Sequence, residues 1–448
     1  MEGVANSVED KLIDGLSFKH KPGASYVTDR KSVTFHPSGS NFYSTTGTKL
    51  IKIMLTGDQW LDPSTLRVMF DVSNTDTTST NKLRPLGGPH SFFRRMRILC
   101  GGQVIEDIDS YNRVHEMLRI LKAEDANINA DAEAFGQQYD KYTTLNTTTL
   151  DGIKSGEFHT VLFKPCSGLF NQPKMLPIRY CPITIELELV NDNTEPVVSY
   201  LAGSGSNAFS ASNTSTSWAL QNVQIKCDVV TLDNQLDNSY QQHLLDGHKL
   251  PINYQTYVSQ MQSILSGTNG QQKVRLNVTR ALSRLKNVFI TLNNDYATDN
   301  IRYKTWNSFY SPYESMASLA GGLTNSFDKD GEFEALVQVG SKKFPETEIR
   351  SHSEAYYQLR KTLGSHDQHN SIDITQHEYK CRKFVLGFDM EKVLEAGFTG
   401  INTRQGDIMS ITFNHNSSTA SHWAKDMQIV LTSDQIMEIA DSGVTVYD

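Results

Sequence analysis

Phe93-Arg94-Arg95-Met96-Arg97-Ile98-Leu99-Cys100-Gly101-Gly102-Gln103-Val104-Ile105-Glu106-Asp107-Ile108 reads as two short strands that fold back on each other at a pair of glycines. Tight hairpin turns need positive φ, which glycine adopts without steric cost. Directly afterwards, Tyr111, Val114, Met117, Leu118 and Leu121 fall at helical spacing behind Asp109 or Ser110 as N-cap. The same order returns about 240 residues later. A strand over 333–339 meets Gly340, Lys342-Lys343-Phe344 forms a second short strand, and a helix over 353–363 carries Ala355, Tyr356, Leu359 and Leu363, with Gly364 placed to end it. A unit of strand, glycine turn, strand and helix repeated at half the chain length implies two copies of one fold rather than one large sheet.

Outside this unit the dominant pattern is period-two alternation bounded by Gly, Pro, Asn, Asp and Ser, the mark of half-buried antiparallel strands. It is clearest over 49–55, 66–72, 183–190, 223–230, 287–292, 384–388, 407–413 and 427–431. Ile183, Ile185, Leu187 and Leu189 face one way, and Thr184, Glu186 and Glu188 the other. The expected fold is all-β, two tandem eight-stranded jelly rolls with short helices in the connecting loops. The expected divisions are an N-terminal arm over 1–27, a first roll over 28–240 and a second over 241–448, joined through a polar linker near 232–248. In the arm, Ser7 with Asp10 resembles a capping box, and Val8, Leu12, Ile13 and Leu16 form a weak apolar stripe.

The net charge of −8 and pI near 5.9 argue against a surface devoted to gripping nucleic acid, which needs an excess of Lys and Arg. Cys100, Cys166, Cys181, Cys227 and Cys381 are odd in number, scattered and without a CxxC pair, so the expectation is reduced thiols and neither a disulfide framework nor a zinc ribbon. The first residues lack the pattern of a secretion signal and no apolar run is long enough to span a bilayer, which together suggest a soluble protein made inside a cell. The Asn-x-Ser/Thr triplets at Asn146, Asn213, Asn277 and Asn416 are what an Asn- and Thr-rich chain produces by chance.

Gly101-Gly102-Gln103 matches the tripeptide that presents glutamine to an ester in release factors, but between two strands it reads as a hairpin turn. His366, His369 and His377 with Asp367 form the one histidine cluster, and they fall in a polar loop without the ordered second shell of a metal site. Nucleophile elbows and phosphate-binding loops are absent. Glu106 with Asp107, and Asp58 with Asp62, read as solvated turn carboxylates. No catalytic, cofactor or metal residue is therefore expected. The features that remain suit assembly: the turn glycines Gly101, Gly102 and Gly340; the basic cluster Arg94, Arg95 and Arg97, expected to make ion pairs between domains or subunits; and the aromatic run Tyr303, Trp306, Phe309, Tyr310 and Tyr313, suited to packing, to an interface or, in an alternative carbohydrate-binding double β-sandwich, to sugar stacking.

Several stretches resemble the major capsid proteins of the double jelly-roll lineage, particularly those of nucleocytoplasmic large DNA viruses and polinton-like viruses. They include 32–57, 60–72, Leu83-Arg84-Pro85-Leu86-Gly87-Gly88, the run 92–115, Glu354-Ala355-Tyr356-Tyr357-Gln358-Leu359-Arg360 and the turn 398–407. The likeness touches both halves. It implies a homotrimer of double jelly rolls, a pseudo-hexagonal capsomer, standing among neighbouring capsomers in an icosahedral shell around double-stranded DNA. Minor capsid and penton proteins would be further partners, with an internal membrane as an optional one. The chain would reside in the virion, without enzymatic activity, cofactor or sequence-specific contact to nucleic acid.

Overall fold

The computed structural model describes residues 26–136, 152–197, 214–264, 272–294, 309, 311, 333–364, 372–381, 383–393, 398–404, 408–415 and 424–448. In the first half the main strands are β1 (Val27–Phe35), β2 (Leu50–Leu55), β3 (Trp60–Asn74), β4 (Phe93–Cys100), β5 (Gln103–Ile108), β6 (Phe158–Phe163), β7 (Ile183–Leu189) and β8 (Trp218–Leu232). In the second they are β9 (Leu250–Ser263), β10 (Gln272–Val278), β11 (Leu285–Asn294), β12 (Phe333–Val339), β13 (Lys342–Ile349), β14 (Leu386–Asp389), β15 (Met409–His415) and β16 (Ala424–Ala440). A last strand, β17 (Gly443–Tyr447), folds back onto the end of β16.

The first half forms two antiparallel sheets in the orders β1-β8-β3-β6 and β2-β7-β4-β5. The second half forms β9-β16-β11-β14 and β10-β15-β12-β13, the same orders with every label raised by eight. In each half the chain crosses between sheets at every step except one hairpin, and the first strand pairs with the last. That is the jelly roll, present twice. Alternation supplies the packing: on β2, Ile51, Ile53 and Leu55 are buried while Leu50, Lys52 and Met54 are not. Phe70 of β3 meets Phe93 of β4 edge to face at 5.4 Å, joining the two sheets of the first roll. The buried apolar residues of both halves run together into one cluster.

The repeated unit is as read, except that Ser110, expected with Asp109 as a capping residue, sits before the first helix at φ 48° and makes no side-chain cap. Gly101 (φ 57°) and Gly102 (φ 86°) turn β4 into β5, and Gly340 (φ 59°) turns β12 into β13. A helix follows each hairpin: α1 (Tyr111–Ile120) in the first half and, later, one over His352–Thr362. Between them, among the described residues, lie two α-helices that the sequence pattern did not announce, α2 (Glu124–Ala132) and α3 (Asn234–Leu245). α3 replaces the expected polar linker; Asp233 caps it by accepting from the Gln235 N–H at 3.2 Å, and only Leu244 is buried on it, so no apolar stripe announced it. The His352–Thr362 helix is α4, and a short α5 (Gln376–Cys381) follows. Ser351 accepts the Glu354 N–H at 3.1 Å, the Glu354 carboxylate accepts the Arg350 N–H at 3.0 Å, and Gly364 ends the helix at φ 67°. Replacing Ser351 with Ala removes the acceptor at the start of α4 and is expected to cost about 1 kcal/mol of stability, read as a lowered midpoint in urea unfolding with unchanged slope.

Candidate assembly interface

The arginine cluster does not reach between the halves. Arg95 grips Asp107 with two guanidinium nitrogens at 2.8 and 2.6 Å, Arg97 donates to Glu186 at 2.5 Å, and Arg94 lies 3.8 Å from Asp109. Lys52, Glu186 and Arg97 stand opposite one another on β2, β7 and β4, so the strand register itself lines up the opposite charges. Of the expected pairing between domains or subunits, the inter-domain part is corrected: these pairs lie within the first roll, on the outward face of one sheet. The cysteines bring a second correction. Cys100 and Cys181, both buried, are joined, with Cα atoms 5.6 Å apart. Cys100 sits opposite Ile183 in the β4-β7 ladder, which places Cys181 beside it despite a separation of 81 residues. Partners 81 residues apart carry no CxxC spacing to mark them.

The contact between the rolls is built from residues that sequence patterns did not single out. Glu106, expected to be solvated, is 1% exposed. It accepts from the Ser167 hydroxyl, from the Gly168 N–H at 2.9 Å and from the Leu169 N–H at 3.3 Å, and the buried Thr256 of the second roll lies near enough to favour its ionised form. Burial raises its pKa, against the pull of these donors. Gly168 presses its backbone against the Gln255 carbonyl of β9 so closely that any Cβ would collide with it. Around this point the Tyr254 hydroxyl bonds Gln435 at 2.8 Å and the Ile105 carbonyl at 3.2 Å, and Lys174 donates to the Pro251 carbonyl at 2.7 Å. Arg113, third in α1, reaches Gln428 of β16 at 3.0 Å and lies over the buried Phe309 ring at 4.9 Å; burial lowers its pKa to about 10. Gly101 approaches Val444 of β17. The seam thus sets β5, α1 and residues 166–174 of the first roll on β9, β16 and β17 of the second.

Beneath α1 lies a second buried polar group. His90 bonds Glu116 at 2.9 Å, Arg119 bonds the same carboxylate at 3.1 and 3.2 Å and lies 3.5 Å from Asp131, and the His115 ring stacks on His90 at 3.9 Å. Burial works to raise the Glu116 pKa, but Arg119 and His90 outweigh it and hold it at about 2. Burial pushes His90 and His115 below the ordinary histidine value of 6.5. Below pH 6.5 the unfolded chain therefore takes up protons that the folded chain refuses. Stability should fall with pH there by up to about 1.4 kcal/mol per pH unit for each histidine. Below 4.5 Glu116 adds to the loss, down to about 2, whereas Glu106, with its raised pKa, contributes stability that is lost as pH rises through its folded value. The check is a urea midpoint measured from pH 8 to 5: a fall toward pH 5 is expected, and a flat profile would contradict it.

Of the other residues read from sequence, Trp306, Tyr310, Tyr303 and Tyr313 lie outside the described residues, as do His366, Asp367, His369 and the side chain of His377. Phe309 is fully buried inside the protein. Among the described residues no group of three His, Cys, Asp or Glu could hold a metal ion, and no helix is long and apolar enough to cross a membrane.

Against known proteins, no family model matches, and no curated protein matches by sequence. Solved structures do match. VP54 of PBCV-1, in the form fitted into a reconstruction of the virophage Sputnik, aligns at a TM-score of 0.62 and 12% identity over 96% of this chain and 100% of that one. A chain of the 3.5 Å structure of the Sputnik virophage aligns at 0.62 and 10% identity over 98% and 92%. The Faustovirus major capsid protein aligns at 0.57 and 9% identity over 98% and 94%. At such identities the likeness is one of fold, and it runs through both rolls: this chain has the double jelly-roll fold of viral capsid proteins.

Proposed function

We propose that this chain is the major capsid protein of a double-stranded DNA virus, assembling as trimeric, pseudo-hexagonal capsomers into an icosahedral shell. The observation that carries the reading is the alignment of nearly the whole chain, both rolls included, with all of a chain of the PBCV-1 virus capsid and with 94% of the Faustovirus major capsid protein. The physics agrees. Two sheets closed face to face leave each roll's connecting loops free for contacts, and the internal seam makes one chain a two-roll block from which symmetric oligomers can be built. The domain division follows as an arm over 1–27, a first roll over 28–240 and a second over 241–448, with α3 spanning the junction. The partners are further copies of the chain, neighbouring capsomers, and minor capsid and penton proteins; the location is the virion, and no catalysis is assigned. Arg94, Arg95 and Arg97, already paired within their sheet, are assigned to stiffening it, and Gly101, Gly102 and Gly340 to setting the hairpins that lead into α1 and α4. Light scattering on the purified protein tests this: a trimer mass is expected, and a species that stays monomeric at every concentration and salt would overturn it.

A further inference from the structure

A depression of about 560 Å³ lies on the outward face of the β1-β8-β3-β6 sheet of the first roll and shares no residue with the seam. It originates in a break in the pairing of β8. β1 covers β8 as far as Phe35, opposite Ile225, and the short strand Phe42–Tyr43 resumes opposite Gln221 and Leu220. Between the two, residues 36–41 swing out to β2, where Pro37 bridges Ile53 and the Ser38 N–H donates to the Lys52 carbonyl at 3.0 Å. Opposite this gap β8 bulges: its register against β3 slips between Gln221 and Gln224, and Asn222 takes φ 51°. Asparagine adopts positive φ more readily than most residues, and bulges re-aim side chains. Asn41 secures the turned residue, accepting the Asn222 N–H at 3.1 Å and donating its amide to the Asn222 side-chain oxygen at 3.0 Å.

The re-aimed Asn222 amide meets Asp71 on the floor. Alternation puts Phe70 and Val72 in the core and Met69 and Asp71 on the outward face. Asp71 is nonetheless only 7% exposed, and among the described residues no Lys, Arg or His pairs with its carboxylate. One oxygen accepts from the Thr160 hydroxyl and the other from the Asn222 amide, both at 2.6 Å. A carboxylate offers about four acceptor positions, so each oxygen keeps room for one more donor. Asn41, Gln224 and Ser40 add amides and a hydroxyl to the walls, and Pro37 and Met69 add apolar surface. Two exposed aromatics share the face. Phe42, 48% exposed, stands in one register row with Gln221, Asp71 and Thr160, and Phe158, 63% exposed, lies two residues from Thr160 on β6.

This chemistry selects among ligands. A phosphate, sulfate or carboxylate is repelled by Asp71 and finds no Lys or Arg among the described lining residues. A hard metal ion takes about six oxygens or more, and Asp71 is the one carboxylate among those residues. An organic ammonium finds no aromatic face among them to complement the single carboxylate. A neutral saccharide matches both parts of the lining: hydroxyls donate to the open positions of Asp71 and accept from amide N–H groups, while the C–H face of the ring lies on Met69 and Pro37. We infer that the depression binds a neutral hexose unit, with Asp71 and Asn222 engaging two adjacent hydroxyls and with Phe42 and Phe158 placed to stack further sugars of a longer chain. The inference goes beyond the capsid reading and is tested separately from it.

The test is ligand-observed saturation-transfer NMR on the purified full chain. The probes are the methyl glycosides of glucose, galactose, mannose and N-acetylglucosamine at millimolar concentration, with inorganic phosphate and choline as charged probes. At least one glycoside is expected to bind, and about tenfold or more weakly to Asp71→Asn and to Asn222→Gly. The glycine keeps the positive φ without strain while deleting the amide, and melting temperatures near that of the parent identify folded variants. No glycoside bound, a charged probe bound in place of all of them, or unchanged binding by both variants would overturn the assignment. Where a variant does not fold, monodeoxy forms of the bound glycoside decide with the parent protein: at least one must bind about tenfold more weakly, and equal binding by all of them overturns the inference. A parent chain that forms trimers while failing this test leaves the capsid reading standing.

Discussion

Gly168→Ala should destabilise the protein by about 3 kcal/mol or more, the upper end of what overpacking costs, because the added methyl lands on the Gln255 backbone carbonyl rather than on a movable side chain. To make room, residues 167–169 must retreat from β9, and the Glu106 carboxyl then loses the hydroxyl and N–H donors that it holds in a buried site. The damage should concentrate at the seam. Hydrogen exchange would register faster opening in β9 and β5, with the β2-β7-β4 ladder less affected, and calorimetry would register a lower melting temperature. A variant that melts with the parent would mean that the two rolls do not depend on this contact.

Glu116→Gln carries the second large effect. The carboxylate holds His90 and Arg119 in a site where all three side chains are largely buried, and removing its charge takes from the buried guanidinium the carboxylate it bonds at 3.1 and 3.2 Å. Breaking a buried pair from one side costs about 3–5 kcal/mol. Replacing both partners with apolar residues costs much less, so Glu116→Leu combined with Arg119→Met should recover part of the loss. Urea unfolding of the two variants side by side decides the matter: equal losses would show that packing, not charge compensation, sets the value of Glu116.

What could be read from sequence was what depends on neighbours in sequence. The hairpin at Gly101 and Gly102, the alternation of Ile183 to Leu189 and the spacing of Leu359 in α4 each follow from a few adjacent residues, and each is present as read. The seam escaped because its members meet only after both rolls have folded. Arg113 and Gln428 are separated by 315 residues. Glu106 looked solvated because a strand entering a turn normally is, and its burial comes from residues 167–169 and Thr256. Cys100 and Cys181 were missed for the same reason, since it is the β4-β7 register that brings them together. The second helix of the repeated unit could be found from its apolar spacing, while α3 could not, because it buries almost nothing.

The most direct measurement is electron cryo-microscopy of the purified, assembled protein. The expected images are trimers with six lobes, two rolls per chain, arranged into closed shells, with the Glu106 and Gly168 seam inside each subunit. Single two-lobed chains at every concentration, with neither trimers nor shells, would contradict the assignment of this chain as a capsid protein.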